Sequence, residues 1–522
     1  MSLPFYRSER RHLDDGDWAR VHWVRIASDQ LKFEDLHPMN SYVRQQDIAR
    51  MQYARAQARG EERPHILTWT AMQTDRRASQ LFPNLSYATD EGEEFISANS
   101  FITYVLRKLL TEGWLQLHEY ISDTYEWKVE LPPPQSEWRS RADAIIRWLE
   151  EAIQLDLYPN IERGSYQPRL FSPFDAHRNF ARIGRCDFVR HFIQNHDRKA
   201  VFNTSHFLHE HDDLISCHSG YGDAVGLMAT ANTILRPPVY RRGALLYDGD
   251  CWRIETLGLG DIRLLLPGDI TLSNQDADAY AFEVNPADSR PIALYTRAGG
   301  LRQSGRPLNR TPLEAKRLEF VLVNRQIVSW KRGGGLQIPQ NGFALSLQSG
   351  ALPPGSSERI LADAWVEYEF ADDARAVVSG IQAGPILLRG GEDVWTNGDS
   401  DEEYCASQGE TVGITPVHTD PASEDARKAR TALAIMPKGD LLLALVDGCD
   451  PACHTAADSA GATLRELTAW LLEAGAVDAL NLGGEGSSHL FVKGGLANTP
   501  SDRRGQAGVV YERMLPSIGI VG

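Results

Sequence analysis

Two spacings of apolar residues divide this chain. Up to about residue 157 they recur at three- and four-residue steps, over 44–59, 97–121 and 140–157, which predicts helices. In the last segment Ile145, Ile146, Trp148, Leu149, Ile153 and Leu157 share one face, and Arg139, Arg141, Asp143, Arg147, Glu150 and Glu151 take the other. That is the pattern of a helix resting on a core. Pro132, Pro133 and Pro134 separate it from the element before. From about residue 199 the texture changes to short β-rich runs broken by Gly, Pro, Asn and Asp: 200–207, 243–247, 262–266, 280–284, 292–295, 318–329, 377–388, 431–436 and 441–446. One clear helix follows at 463–474, opened by Thr463 and Glu466 in capping-box spacing and closed at Gly475. Residues 396–427, rich in Asp, Glu, Ser, Gly and Pro, predict a surface loop long enough to cover a site. The expected class is α+β: a mainly helical region of unassigned role over 1–165, then a mixed-sheet α/β domain over 166–522.

Composition narrows the function classes. The 522 residues have room for about three domains at roughly 150 residues each. Lys plus Arg number 54 against 70 Asp plus Glu, a net charge of -16, so the overall field repels nucleic-acid backbones and anionic lipid. No stretch reaches the roughly 18 apolar residues of a membrane span, and the first residues place acids where a signal peptide would place its apolar core. Six cysteines are sparse for this length and suit a reducing compartment. The expectation is a cytoplasmic protein with no nucleic-acid or membrane partner. Its oligomeric state is not legible. No Gly-x-Ser-x-Gly elbow and no Gly-x-Gly-x-x-Gly after a strand are present, which argues against α/β-hydrolase and dinucleotide chemistry.

The C-terminal motifs say more. An Arg430-Thr431-Ala432 strand start, a Val446-Asp447-Gly448 strand end, a Thr463-Leu464-Arg465-Glu466-Leu467 helix start and Asn481-Leu482-Gly483-Gly484-Glu485-Gly486-Ser487-Ser488 follow one another, then Asn498-Thr499-Pro500-Ser501-Asp502. Upstream stand Gly384-Pro385-Ile386-Leu387 and, at 200–207, a run centred on Asn203. This ensemble resembles the phosphodiester glycosidase family, most strongly over 376–522. The resemblance implies hydrolysis of the glycosidic bond in a sugar-1-phosphate diester or related phosphosugar. It also implies substrate-binding roles for Asn203, Arg430, Thr431, Asn481, Gly484, Gly486, Ser487, Ser488 and Asn498. Two departures stand out: Gly483 replaces the family's Asp and Glu485 replaces a Gly, while Thr204-Ser205-His206 replaces two glycines and an aromatic. A catalytically silent phosphosugar-binding protein, or an assembly component, is the alternative.

Read as residues, Gly483, Gly484 and Gly486 with the hydroxyls of Ser487 and Ser488 make either a phosphate cradle or a tight turn. Arg430 offers a planar fork to an anion. Cleavage beside a phosphate needs proton transfer by carboxyl groups, and Asp447, Glu485 and Asp502 are the catalytic candidates. His206, His209 and His211 are weak metal candidates whose spacing matches no strong zinc pattern, so no cofactor is expected while a divalent metal stays open. The basic run Arg236-Pro237-Pro238-Val239-Tyr240-Arg241-Arg242 reads as an extension of an anion site or as a solvated loop.

Overall fold

The computed structural model describes residues 5–36, 188–194, 198–208, 222–297, 310–336, 338–363, 365–372, 377–398, 402–403, 426–449, 455, 458–504 and 512–522. It also describes the short strand segments 88–89, 92–96, 116–121, 126–130, 169–171, 302–303, 306–307 and 509–510. Strands dominate, which corrects the expected α+β class with its helical N-terminal region. Three strands come first: β1 (Tyr6–His12), β2 (Trp18–Ile26) and β3 (Leu31–Asp35). Their cause is visible locally in β3, where buried Leu31 and Phe33 alternate with exposed Lys32 and Glu34. Within the segment expected as a helix over 97–121, Gln116–Ile121 is a strand paired with Glu126–Glu130, so cross-strand pairing overrides the helical step there. The expected helices at 44–59 and 140–157 lie outside the described residues.

Two antiparallel sheets position the candidate chemistry. Their further strands are β4 (Ala200–Asn203), β5 (Ile386–Arg389), β6 (Arg430–Ile435), β7 (Leu441–Val446), β8 (Asp478–Asn481), β9 (Leu490–Val492) and β10 (Ser517–Val521). The first sheet runs β1-β2-β7-β6-β8-β5 and ends on the two-residue strand Glu392–Asp393. The second runs β3-β10-β4-β9 and ends on Gly495–Leu496. Between β2 and β7 the register is Val21 opposite Val446 through Ile26 opposite Leu441, so the first strands of the chain complete a sheet of the last.

Period-two alternation gives the seven-stranded sheet two apolar faces. Val24, Ile26, Leu433, Leu443, Leu445 and Leu480 share a core with Phe33, Phe202 and Val521 of the second sheet. Val21, Trp23, Ala432, Ala434, Ala444 and Val446 face Leu464, Leu467, Trp470 and Leu471 of a helix. That helix is α3 (Leu464–Glu473), after the shorter α1 (Val189–Ile193) and α2 (Ser356–Asp363). Thr463 caps it as expected, accepting from Glu466 N while the Glu466 side chain returns to the Thr463 backbone. Further strands supply the rest of the core. The run expected at 318–329 splits at Asn324, where φ is +54°, into Leu313–Val323 and Gln326–Gly334. The run at 377–388 splits at Gly384-Pro385 into Ser379–Gln382 and β5.

Candidate active site

Four pieces of backbone meet where β4 ends, β6 begins, β7 ends and the Gly-rich loop leaves β8. Asn203 closes β4 and is buried. Its side-chain N–H donates to Gly483 O, and its Oδ1 accepts from Thr431 Oγ1 at 3.0 Å and His489 N at 3.2 Å. Thr431 also reaches Ser488 Oγ at 3.2 Å. Asn498 ties the far side, accepting from Leu490 N at 2.7 Å and donating to Ser488 O at 2.9 Å. Asn203, Thr431, Ser488 and Asn498, expected as one set from residues almost 300 positions apart, therefore do converge. Asn481 joins them by donating to Gly384 O, the oxygen that His206 Nε2 also approaches at 3.1 Å.

Arg430 stands apart. Opposite Val446 in register, it lies on the α3 face of the sheet, whereas Thr431 is opposite Leu445 on the inner face. Its Nε and Nη2 donate to Ala462 O and Ala426 O, both at 3.0 Å.

Asp447 follows β7 on the inner face. Its Oδ1 takes His22 Nε2 at 3.1 Å and Thr499 N at 3.2 Å, and with a side chain 4% exposed it is almost wholly enclosed. The ring of His22 is held on its other side by Tyr6 OH, 3.0 Å from Nδ1, and stacks on the tyrosine ring. Among the described residues Oδ2 of Asp447 takes no hydrogen bond, so Oδ1 alone fixes the carboxylate. Tyr6 and His22 carry no local signal: His22 is one histidine in a strand 425 positions from its partner.

The other two carboxylates are ion-paired. Lys428 Nζ donates to Glu485, and Arg513 grips Asp502 through Nε at 2.9 Å and Nη2 at 2.8 Å. Glu485 has φ +53°, in the left-handed region. Gly486 is demanded by Asp502, because a methyl group there would lie 2.0 Å from its Oδ1. Gly484 presses on Ala429 O, which a Cβ would meet at 2.9 Å. The loop is wound tightly on itself. The amide of Gly483 donates to Thr204 O, that of Glu485 to Ala429 O, that of Ser487 to Gly484 O and that of Ser488 to Glu485 O, and Ser487 Oγ also donates to Gly484 O. The amides of Gly484 and Gly486 stay outside this network.

Three buried polar atoms on these segments lack a partner: Ser205 Oγ, Asn481 Oδ1 and His489 Nε2. Burial pushes the His489 imidazole below its usual range, so it is neutral near pH 7. Of the three histidines considered for metal, His206 is buried beside Gly384 O, while His209 and His211 lie outside the described residues. Among the described residues no three His, Cys, Asp or Glu form a metal-ligating group. Nor is any helix among them long and apolar enough to cross a membrane.

The phosphodiester glycosidase family model matches residues 314–521 of this chain. No curated protein matches it. Among solved structures it is similar to a hypothetical protein from Synechocystis, at 19% identity and TM-score 0.36, covering 65% of this chain and 54% of that one. The chain thus spans about half the length of that relative. A candidate exported protein from Burkholderia pseudomallei K96243 is 15% identical with TM-score 0.41, covering 99% of this chain and 96% of the other. The zebrafish N-acetylglucosamine-1-phosphodiester alpha-N-acetylglucosaminidase catalytic domain, auto-inhibited by its pro-peptide, is 18% identical with TM-score 0.23, covering 57% and 89%.

Proposed function

We propose, from the match of residues 314–521 to the phosphodiester glycosidase family, that this protein hydrolyses the glycosidic bond of a sugar-1-phosphate diester or related phosphosugar. The observation that carries the reading is Asp447: a buried carboxylate with one oxygen pinned by His22 and Thr499 and the other without a hydrogen bond among the described residues. Breaking the anomeric C–O bond sends its electron pair to the phosphate oxygen, already a good leaving group, and leaves an oxocarbenium-like carbon. Water attacks that carbon, and Asp447 Oδ2 accepts its proton. Lys428 and the amides of Gly484 and Gly486 are the groups we assign to the phosphate, in place of Arg430 on the other face of the sheet. The cytoplasmic setting suggested by the cysteines belongs to this reading, as does independence from metal.

A second reading has one observation in its favour: Gly483, where the family carries Asp, leaves the loop without that carboxylate. In it the protein holds a phosphosugar without cleaving it. The test is release of sugar from a panel of sugar-1-phosphodiesters by wild type, Asp447→Asn and Glu485→Gln, each with and without EDTA. Turnover that falls by ~10²–10⁴-fold in Asp447→Asn supports the hydrolase. Saturable binding without turnover in the wild type replaces it with the binding protein. EDTA-sensitive turnover overturns metal independence.

A further inference from the structure

The basic run that begins at Arg236 does not serve the site around Asp447. Arg236 closes the strand Thr233–Arg236 and lines a separate cleft of about 140 Å³, which shares no lining residue with that site. It is 7% exposed, and its Nη1 is paired with Asp35, while Nε and Nη2 are buried with no acceptor. Arg325, also in the lining, gives Nη2 to Glu367 at 2.6 Å and likewise keeps a buried Nε without an acceptor. Each buried donor left unmet costs ~1–3 kcal/mol. Two residues of the cleft lining thus carry three such donors.

Charge decides what kind of ligand suits the cleft. The two carboxylates of the lining, Asp35 and Asp223, offset the two guanidiniums, so an anion gains no net field there. The remaining polar groups, Asn324 and Gln326, are planar amides that both donate and accept. Beside them Trp365 is 39% exposed, and the Arg325 guanidinium lies 4.9 Å from its ring centroid, which holds the indole in place. An aromatic surface next to paired donors and acceptors, with no net charge, matches a sugar ring. Such a ring has an apolar C–H face and hydroxyls that give and take hydrogen bonds.

We propose that this cleft is a binding subsite for an uncharged monosaccharide or the end of a neutral glycan, with Trp365 against the C–H face and Arg236 and Arg325 donating to ring hydroxyls. The inference goes beyond the hydrolase reading and does not depend on it.

The test is saturation-transfer NMR and calorimetry on the full chain, with neutral mono- and disaccharides in one arm and inorganic phosphate in the other. Wild type, Trp365→Ala and Asp447→Asn are compared. Arg236→Met removes a buried ion pair and would confound folding with binding, so the partly exposed Trp365 carries the test. Saturable binding of a neutral sugar, weakened at least roughly tenfold by Trp365→Ala and unchanged in Asp447→Asn, is the expected result. Three results overturn the proposal: no neutral sugar binding, phosphate binding that depends on Trp365, or sugar binding that survives Trp365→Ala and is lost in Asp447→Asn.

Discussion

At Gly486 one hydrogen in place of a methyl group lets the loop and Asp502 coexist. The carboxylate cannot simply swing away from an added Cβ, because Arg513 holds both of its oxygens. Gly486→Ala should therefore lower stability by ~1–3 kcal/mol, the usual cost of overpacking, read as a shift of the urea midpoint. An unchanged midpoint would mean that Arg513 grips less firmly than its geometry implies. His22 makes a different case, since in the proposed hydrolase it would act by holding Asp447. His22→Phe removes a hydrogen bond to a charged group, worth ~1.5–3 kcal/mol, so kcat should fall roughly 10- to 100-fold. His22→Gln keeps a donor and should recover part of that loss. Equal loss in both variants would point to ring packing against Tyr6 instead of the bond. Five residues of this candidate site were legible at the residue scale and two were not. Asn203, Thr431, Ser488, Asn498 and Asp447 stand in motifs whose order is readable along the chain, whereas His22 and Tyr6 become visible only once β2 lies against β7.

Elements were legible where their determinants are local. The strands Ile292–Tyr295 and Leu441–Val446 fall where their apolar runs place them, and α3 begins and ends at its own caps. The run 318–329 misled because Asn324-Arg325 turns the chain without Gly or Pro. The hairpin β1–β2 went unread because charged residues and His22 interrupt its apolar positions. The cap of α3 also makes a pH prediction. Burial pushes the Glu466 carboxyl up, but the Arg427 side chain, at 2.7 Å from Nη2, and the Thr463 N–H, at 2.9 Å, outweigh it and hold the group below its ordinary value. With the folded value below the unfolded one, the stabilisation is fully present above the unfolded value of about 4.3 and is lost as pH falls through the folded one. Urea unfolding at about pH 7 and about pH 3 should show the wild type losing more stability on acidification than Glu466→Gln. Parallel losses would show that the Arg427 contact adds nothing in solution.

On the scale of the molecule, the match to residues 314–521 covers less than the folding unit that the strands define. Both site-bearing sheets contain strands from outside it. In the first sheet β2 pairs with β7 along six residues. In the second, β4 lies between β10 and β9, and β3 closes the edge against β10. A chain of residues 314–521 alone would lack β4, so β9 and β10 would lose the strand between them, and it would expose β7 as an open edge. It would also uncover the core leucines Leu433, Leu443 and Leu445, which Val24, Ile26, Phe33 and Phe202 now cover. Long apolar edges of that kind associate instead of staying monomeric. The piece should therefore be insoluble or melt without cooperativity, while the full chain gives a single sharp transition by calorimetry. The same logic makes a finer cut informative. A chain beginning at residue 37 keeps Asn203 and the whole matched segment but loses β1, β2 and β3, and with them His22. If it aggregates, and a separate peptide of residues 1–36 restores a cooperative melt, the first strands of the chain belong to the fold of the last. A stable, well-dispersed chain without them would show that the hairpin only decorates an already complete sheet.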